Sequence, residues 1–294
     1  MTSTKLVELY CTVCEQYTMI SDEVQRLSNN SRPEFTDEET MTIYIWGVMN
    51  GLSEQKAIHD FIRNHYNEWF PKLPSYTNFS RRLGLLAPAF VLLSESLLTQ
   101  GKASFLGQQI DQALDSMPVI VAKQSRSSSA RVCSDICDKG YCATKKQYYY
   151  GIKLHVCGIL QSGKLPVPTQ IYISQASTFD LTIGKQMMEN QHGFNLFADK
   201  AYCSKSWADE LATKDIRLFT PVKKAKGQAE LPMMEQVYST MVSSVRQPIE
   251  SFFSWLITKT RIQFAEKVRS SSGLFLHLFG KLASCLFIFS SVYS

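Results

Sequence analysis

The chain has 294 residues, 45% of them hydrophobic, which is enough to bury a core without disulfide or metal staples. Its 31 basic and 26 acidic residues leave a net charge of +5, a balance that permits nucleic-acid binding without requiring it. The apolar stretch Leu274 to Val292 is interrupted by His277, Lys281 and several serines, and Met1-Thr-Ser-Thr-Lys5 lacks the apolar centre of a signal peptide, so a cytoplasmic location without membrane association is expected.

The first hundred residues predict helices. Thr36-Asp37-Glu38-Glu39 carries the capping-box pattern, in which a Thr hydroxyl and a Glu carboxylate each satisfy a backbone N–H left over at a helix start. Met41, Tyr44, Ile45, Val48 and Met49 follow as an apolar stripe, with Gly51 as the stop. A second helix is expected from Ser53, burying Ala57, Ile58, Phe61 and Ile62, and a third from Ser75, after the breakers Pro71 and Pro74. The third carries Asn78, Arg81 and Arg82. A short helix, a turn and a helix bearing basic and amide side chains is an arrangement that reads a major groove, so Arg81 and Arg82 are candidates for DNA contact, with solvated surface charge as the alternative.

Eight cysteines in a chain without an export signal are expected to be reduced thiols. Cys11 and Cys14 have the spacing of a redox or zinc pair, but Val7, Cys11, Cys14 and Tyr17 also follow helical spacing and predict one buried face. Cys133, Cys137 and Cys142 offer three metal ligands, yet no nearby His or fourth Cys completes a tetrahedral set.

From about residue 105 the pattern turns to strands. Tyr148, Tyr150, Ile152, Leu154 and Val156 share one parity and Lys153 and His155 the other, which predicts a strand with one buried and one polar face. Val167, Thr169, Ile171 and Ile173 repeat the alternation over Pro166 to Ser174. A helix over Thr178 to Glu189, a short strand from Phe194 to Ala198, a helix near Ser204 to Ala212 and a strand from Ile216 to Pro221 follow, and helical periodicity resumes after Met234. With a strand near Gln108 to Asp115, the order is three strands, then alternating helices and strands, closed by a helix. That is the ribonuclease H-like order: a mixed five-stranded sheet with flanking helices, an α/β domain over residues 101–294, preceded by an all-α domain over residues 1–100. Ser125-Arg-Ser-Ser-Ser129, with the Cys- and Lys-containing loop that continues to Gln147, and the Lys223-Lys224-Ala-Lys226-Gly227 turn are expected to be exposed.

In this order the end of the first strand lies near the end of the fourth, and the last helix packs across both. Asp115, Asp199 and Glu250 fall on those three elements. Carboxylates from separate elements are the ligands that a hard divalent cation takes, and a pair of such cations activates an oxygen nucleophile and stabilises a leaving oxygen in phosphodiester chemistry. Asp111, four residues earlier at the same strand parity, competes with Asp115. A turn-forming Asp and a solvent-facing helix Glu are the plain readings of Asp199 and Glu250.

The motifs Leu114-Asp-Ser-Met-Pro-Val119, Gly140-Tyr-Cys-Ala-Thr-Lys-Lys146, Tyr149-Tyr-Gly-Ile-Lys-Leu-His155, Ala198-Asp-Lys-Ala-Tyr202 and Arg246-Gln-Pro-Ile-Glu-Ser-Phe-Phe253, in that order, resemble the DDE-type transposases of bacterial insertion sequences, and among them the group numbered 982. The resemblance implies that Asp115, Asp199 and Glu250 are the catalytic, metal-holding triad for two Mg2+ or Mn2+ ions, and that Arg246 is the arginine often found four residues before the Glu. It also implies binding to the double-stranded terminal inverted repeats and target DNA, assembly as a homo-oligomer on DNA, and strand transfer. Two departures stand out. Phe179-Asp180 replaces a His-Asp pair common in relatives, and Ile257 stands where some carry a Lys, so neither a histidine nor a lysine role is carried over.

Proline in a helix interior costs about 3 kcal/mol but almost nothing in the first turn. The Glu-bearing helix is therefore expected to restart near Pro248, placing Glu250 where the helix dipole favours a carboxylate. Lys153, His155, Lys200 and Arg246 are candidates to contact phosphates, with a solvated strand edge or ion pairs to the triad as the alternative. Two rivals to a transposase follow: a nuclease of the same fold that never joins ends, and a decayed or co-opted transposase that only binds DNA. No Gly-x-Ser-x-Gly elbow or phosphate-cradling Gly-rich loop supports other hydrolase chemistry.

Overall fold

The computed structural model describes residues 3–24, 33–105, 107, 110–143 and 146–293. The expected strand start at Gln108, and Thr144 and Lys145 of the Gly140 to Lys146 motif, lie outside the described residues. The chain divides into two compact units: residues 1–100 with 256–294, and residues 101–255.

The first unit is helical. Helix α1 (Ser3–Ile20) buries Leu6, Leu9, Val13, Gln16 and Ile20, while Val7 is 43% exposed and Cys11 faces solvent. The helical period holds but the expected Val7/Cys11 face points outward, because the opposite stripe of leucine, valine and isoleucine removes more apolar area from water. Thr36 caps α2 (Asp37–Met49): its hydroxyl accepts the Glu39 N–H at 3.2 Å, and the Glu39 carboxylate accepts the Thr36 N–H at 2.6 Å. Helix α2 is buried from Met41 through Val48, not along one stripe. It is surrounded by α1, by α3 (Gln55–His65) and α4 (Tyr76–Leu85), and by α10 (Lys281–Tyr293) from the far end of the chain.

In α3, Ile58, His59 and Ile62 are buried and Ala57 is exposed. Ser75 caps α4, accepting the Asn78 N–H. Residues 66–75, held open by Pro71 and Pro74, separate these helices, more than the three- or four-residue turn of a helix-turn-helix. After α5 (Ala87–Ala103) the path leaves this unit, and residues 256–294 return to it because their helices α9 (Ser271–Phe275) and α10 pack on α4 and α2 respectively. The stretch Ser271–Phe289 has a mean hydropathy of 1.6, long and apolar enough by those measures to cross a bilayer. Two-thirds of it is buried, its π-helical turn Leu276–Gly280 fitting so tightly that a Cβ on Gly280 would lie 2.6 Å from the Tyr44 ring.

The second unit holds a mixed sheet of six strands, one more than expected. These are β1 (Asp111–Ala122), β2 (Asp138–Cys142), β3 (Gln147–Ile159), β4 (Val167–Gln175), β5 (Phe194–Ala198) and β6 (Ile216–Phe219). Helix α6 (Asp180–Met187) precedes β5, α7 (Lys205–Ala212) precedes β6, and α8 (Met233–Thr260) follows. The path runs β2-β3-β1-β5-β6, with β1–β3 antiparallel and β1–β5–β6 parallel. The outer edge of β3 is shared: residues 147–151 pair with β2 and residues 152–159 with β4. Because β3 has neighbours on both edges and cover on both faces, it is buried almost throughout, not alternately. Gly151 permits the closest approach, since a Cβ there would sit 2.0 Å from the Val119 carbonyl oxygen. Leu114, Leu196 and Ile216 of the strands pack with Ile183 of α6 and Trp207 and Leu211 of α7.

Helix α8 does not restart at Pro248; it runs unbroken from Met233 to Thr260 with the proline inside it. Glu250 is therefore mid-helix and has no first-turn dipole advantage. Burial of Val242, Ile249, Phe252 and Phe253 along this helix opposes the cost of the missing N–H.

Candidate active site

Parallel pairing sets Leu114 opposite Ala198, so Asp115, still inside β1 and paired with Val156 of β3, lies beside Asp199, the first residue past the end of β5; β1 runs on to Ala122 and does not end at Asp115 as expected. Asp111 pairs with Asn195 instead, four residues back along β1, or about 13 Å at strand rise. The Asn195 side-chain amide donates to its carboxylate at 2.8 Å. Asp199, in extended backbone conformation, precedes a short 3-10 turn, Lys200–Tyr202; its carbonyl accepts the Tyr202 N–H at 3.0 Å, and its carboxylate makes no hydrogen bond or ion pair among the described residues.

Helix α8 supplies Arg246 and Glu250, one turn apart on the same face. The Arg246 guanidinium forks between two carboxylates: Nη1 donates to Asp115 Oδ2 at 2.6 Å and Nη2 to Glu250 Oε1 at 2.5 Å. The other Asp115 oxygen accepts the Ser116 N–H at 2.8 Å. Burial is the main influence on Asp115 and pushes its carboxyl up to about 6. Arg246 and the Ser116 N–H pull it down, while Asp199 and Glu250 push it further up. Burial works against the charge on Arg246, but Asp115, Glu250 and Asp199 outweigh it and raise the guanidinium above its ordinary value.

A second polar chain backs this group. Ser116 Oγ donates to Asp180 Oδ1 at 3.1 Å, and Lys153 Nζ donates to the same oxygen at 3.1 Å and to the Thr178 carbonyl at 2.8 Å. Lys153 is thus engaged with Asp180 at the start of α6. Asp180 and Ser116 were not singled out as functional from the sequence. Their signal was proximity, Ser116 beside Asp115 and Asp180 at a helix start.

The expected phosphate contacts divide. Lys200 and Arg81 are exposed. His155 is fully buried, its Nε2 2.9 Å from Ser174 Oγ, and burial lowers its pKa to about 4. It is a neutral interior histidine and not an exposed phosphate contact: β4 pairs with β3 at its edge, and the face that alternation assigned to solvent lies under α6, where Cys157 of the same parity packs with Ile183 and Met187. Arg82, 12% exposed in its side chain, lies 2.9 Å from Asp37 and donates to the Phe35 carbonyl, so it ties helices together and does not face a groove. Arg246, 9% exposed, is engaged by carboxylates. All eight cysteines are free thiols, and Cys133 and Cys137 are buried.

The donor set suits a hard divalent cation: three carboxylates from three elements, one of them, Asp115, half-buried and raised chiefly by that burial. Their spacing is not yet that of a closed metal site, since among the described residues no three His, Cys, Asp or Glu side chains lie together closely enough to hold one. Arg246 supplies the positive charge between Asp115 and Glu250 instead.

No curated protein matches this chain. A family model described as "Transposase DDE domain" matches residues 107–271, 165 of the 294, and spans Asp115, Asp199, Arg246 and Glu250. With more than half its length inside that match, the chain belongs to the DDE transposase domain family.

Proposed function

We propose that this chain is a transposase that binds the terminal inverted repeats of an insertion sequence of the group numbered 982, cuts the DNA there and joins the freed hydroxyl to target DNA. The observation that carries the reading is Asp115 of β1 beside Asp199 at the end of β5, with Arg246 of α8 bridging Asp115 to Glu250, inside the family-matched span. The sheet path, with β1 flanked by antiparallel β3 and parallel β5, supports a ribonuclease H-like catalytic unit. The helices of residues 1–100, with exposed Arg81 and Asn78 on α4, are the proposed DNA-recognition element.

Asp115, Asp199 and Glu250 would hold two Mg2+ or Mn2+ ions, which when bound supply activation of the attacking oxygen and stabilisation of the departing one. The chain's own groups have distinct tasks. The Ser116 N–H fixes one Asp115 oxygen and leaves the other directed at the site. Arg246 neutralises the carboxylates at rest, and its planar fork matches two phosphate oxygens equally well. Lys200, exposed beside Asp199, would meet a backbone phosphate.

The test is cleavage and joining of a duplex carrying the element's end, with Mg2+ or Mn2+. Asp115→Asn, Asp199→Asn and Glu250→Gln should each abolish both steps and leave DNA binding intact, whereas Asp111→Asn should retain them. Full activity in any of the first three removes that residue from the triad. Cleavage without joined product selects the nuclease reading, and no metal-dependent cleavage of any substrate selects a binding protein.

A further inference from the structure

Residues 123–146 contain six basic and two acidic residues, a net +4 within a chain whose total is +5. The sheet unit therefore carries its charge on the connection from β1 to β2 and on the β2–β3 hairpin. On one side of that hairpin Tyr141 and Tyr148 are direct cross-strand partners with ring centroids 5.0 Å apart and planes tilted by 59°. They are 51% and 48% exposed, unusual for two rings that could have packed inward. Lys139, two residues before Tyr141 and so on the same face, lies 4.7 Å from the centre of the Tyr148 ring and donates to Ser128 Oγ at 3.1 Å.

Beside the rings opens a cleft of 360 Å3 lined by Ser127, Ser128, Arg131, Ser134, Lys139 and Tyr150, among others. Asp138 also borders it, but both its oxygens are occupied by the backbone N–H and the hydroxyl of Ser177. An exposed aromatic face next to a cleft of hydroxyls and two cations is complementary to one nucleotide, base on ring and phosphate in cleft. Bases inside a duplex have no free face to offer, which selects an unpaired one.

We propose that this hairpin binds an unpaired nucleotide of DNA, its base stacked on Tyr141 and backed by Tyr148, its phosphate held by Lys139 and Arg131. The inference rests on the DNA-acting function proposed above and adds a contact remote in sequence from the carboxylates. It is tested with the full chain in metal-free buffer, using a matched duplex and the same duplex with one unpaired 2-aminopurine, by anisotropy and by quenching of the 2-aminopurine. The wild type should bind the unpaired-base DNA about tenfold more tightly than the matched duplex and quench the probe. Tyr141→Leu, which keeps apolar bulk against Tyr148, should bring that preference below about twofold and abolish quenching, with matched-duplex affinity unchanged. Tyr141→Phe should behave as wild type. Equal wild-type affinity for the two DNAs, or full preference and quenching in Tyr141→Leu, overturns the nucleotide contact alone. Failure of the wild type to bind either DNA overturns the DNA-acting reading and this contact with it.

Discussion

Replacing Arg246 by alanine tests the charge arrangement at the centre of the site. The guanidinium neutralises one mostly buried carboxylate, Asp115 at 19% side-chain exposure, and one open to water, Glu250 at 54%. Removing one member of a buried pair costs about 3–5 kcal/mol, whereas an exposed pair contributes about 0–1 kcal/mol. Since only the Asp115 half is desolvated, and that incompletely, the expected loss is about 2–4 kcal/mol. At about 2–4 °C per kcal/mol for a domain of this size, the melting temperature of the sheet unit should fall by roughly 4–16 °C. Scanning calorimetry of wild type and Arg246→Ala at neutral pH, with and without Mn2+, measures both the loss and its repair. A dication that takes over the role of the guanidinium stabilises the variant more than the wild type, where it must compete; saturation at a hundredfold over Kd adds about 2.7 kcal/mol. Melting of Arg246→Ala within about 1 °C of wild type, or an equal Mn2+ shift in both proteins, would refute the reasoning.

Three further outcomes are expected. Lys281 is 2% exposed, its Nζ lies 3.3 Å from His277 Nδ1, and burial lowers its pKa from 10.5 to about 7, with Glu54 opposing that shift and Arg261 adding to it. The stability from a neutral Lys281 is complete above pH 10.5 and is lost as pH falls toward 7. Lys281→Met should thus be more stable than wild type at pH 7, and its advantage should shrink by about 1.4 kcal/mol per pH unit in urea melts at pH 7, 8 and 9; a constant advantage contradicts this. Gly151→Ala should cost more than the about 1–3 kcal/mol of ordinary overpacking, because its Cβ meets a backbone oxygen at 2.0 Å; recovery of normally folded, equally stable protein would disprove the register of β1 and β3. Arg82→Gln should lower the melting temperature while Arg81→Gln leaves it unchanged and weakens DNA binding in a gel-shift assay, and the reverse pattern would exchange their roles.

Local chemistry carried much of this architecture into the sequence. The capping box at Thr36, the Ser75 cap and the alternation through Tyr148 to Val156 reappear as elements because each depends on neighbours within a few residues. What failed was whatever depends on distant partners. The phase of α1 is chosen by the helix it packs on, and His155 is buried under α6, which no count along β3 can reveal. Pro248 reads as a helix start until the apolar residues on either side of it are seen to bury together. The register of β1 against β5, a pairing between residues more than eighty positions apart, is what sets Asp115 rather than Asp111 beside Asp199. Strand β2 was missed because it is five residues long and centred on Gly140, although Lys139 and Tyr141 share the exposed parity that marks it; Gly140 is needed there because a Cβ would meet Ala176 at 2.6 Å.

The divided outer edge of β3 bears on how the molecule behaves at high concentration. A long flat edge of free N–H and C=O groups invites a second chain to add a strand. Here one side of the sheet ends in β2 and β4 lying end to end, the latter carrying Pro168 near a register shift at Cys157/Gly158, and the other ends in the four residues of β6. At β6 a neighbouring chain finds only four residues to extend, and on the other side the edge is broken between five residues of β2 and nine of β4, with Pro168 removing one donor, so neither border offers one long continuous template for strand addition.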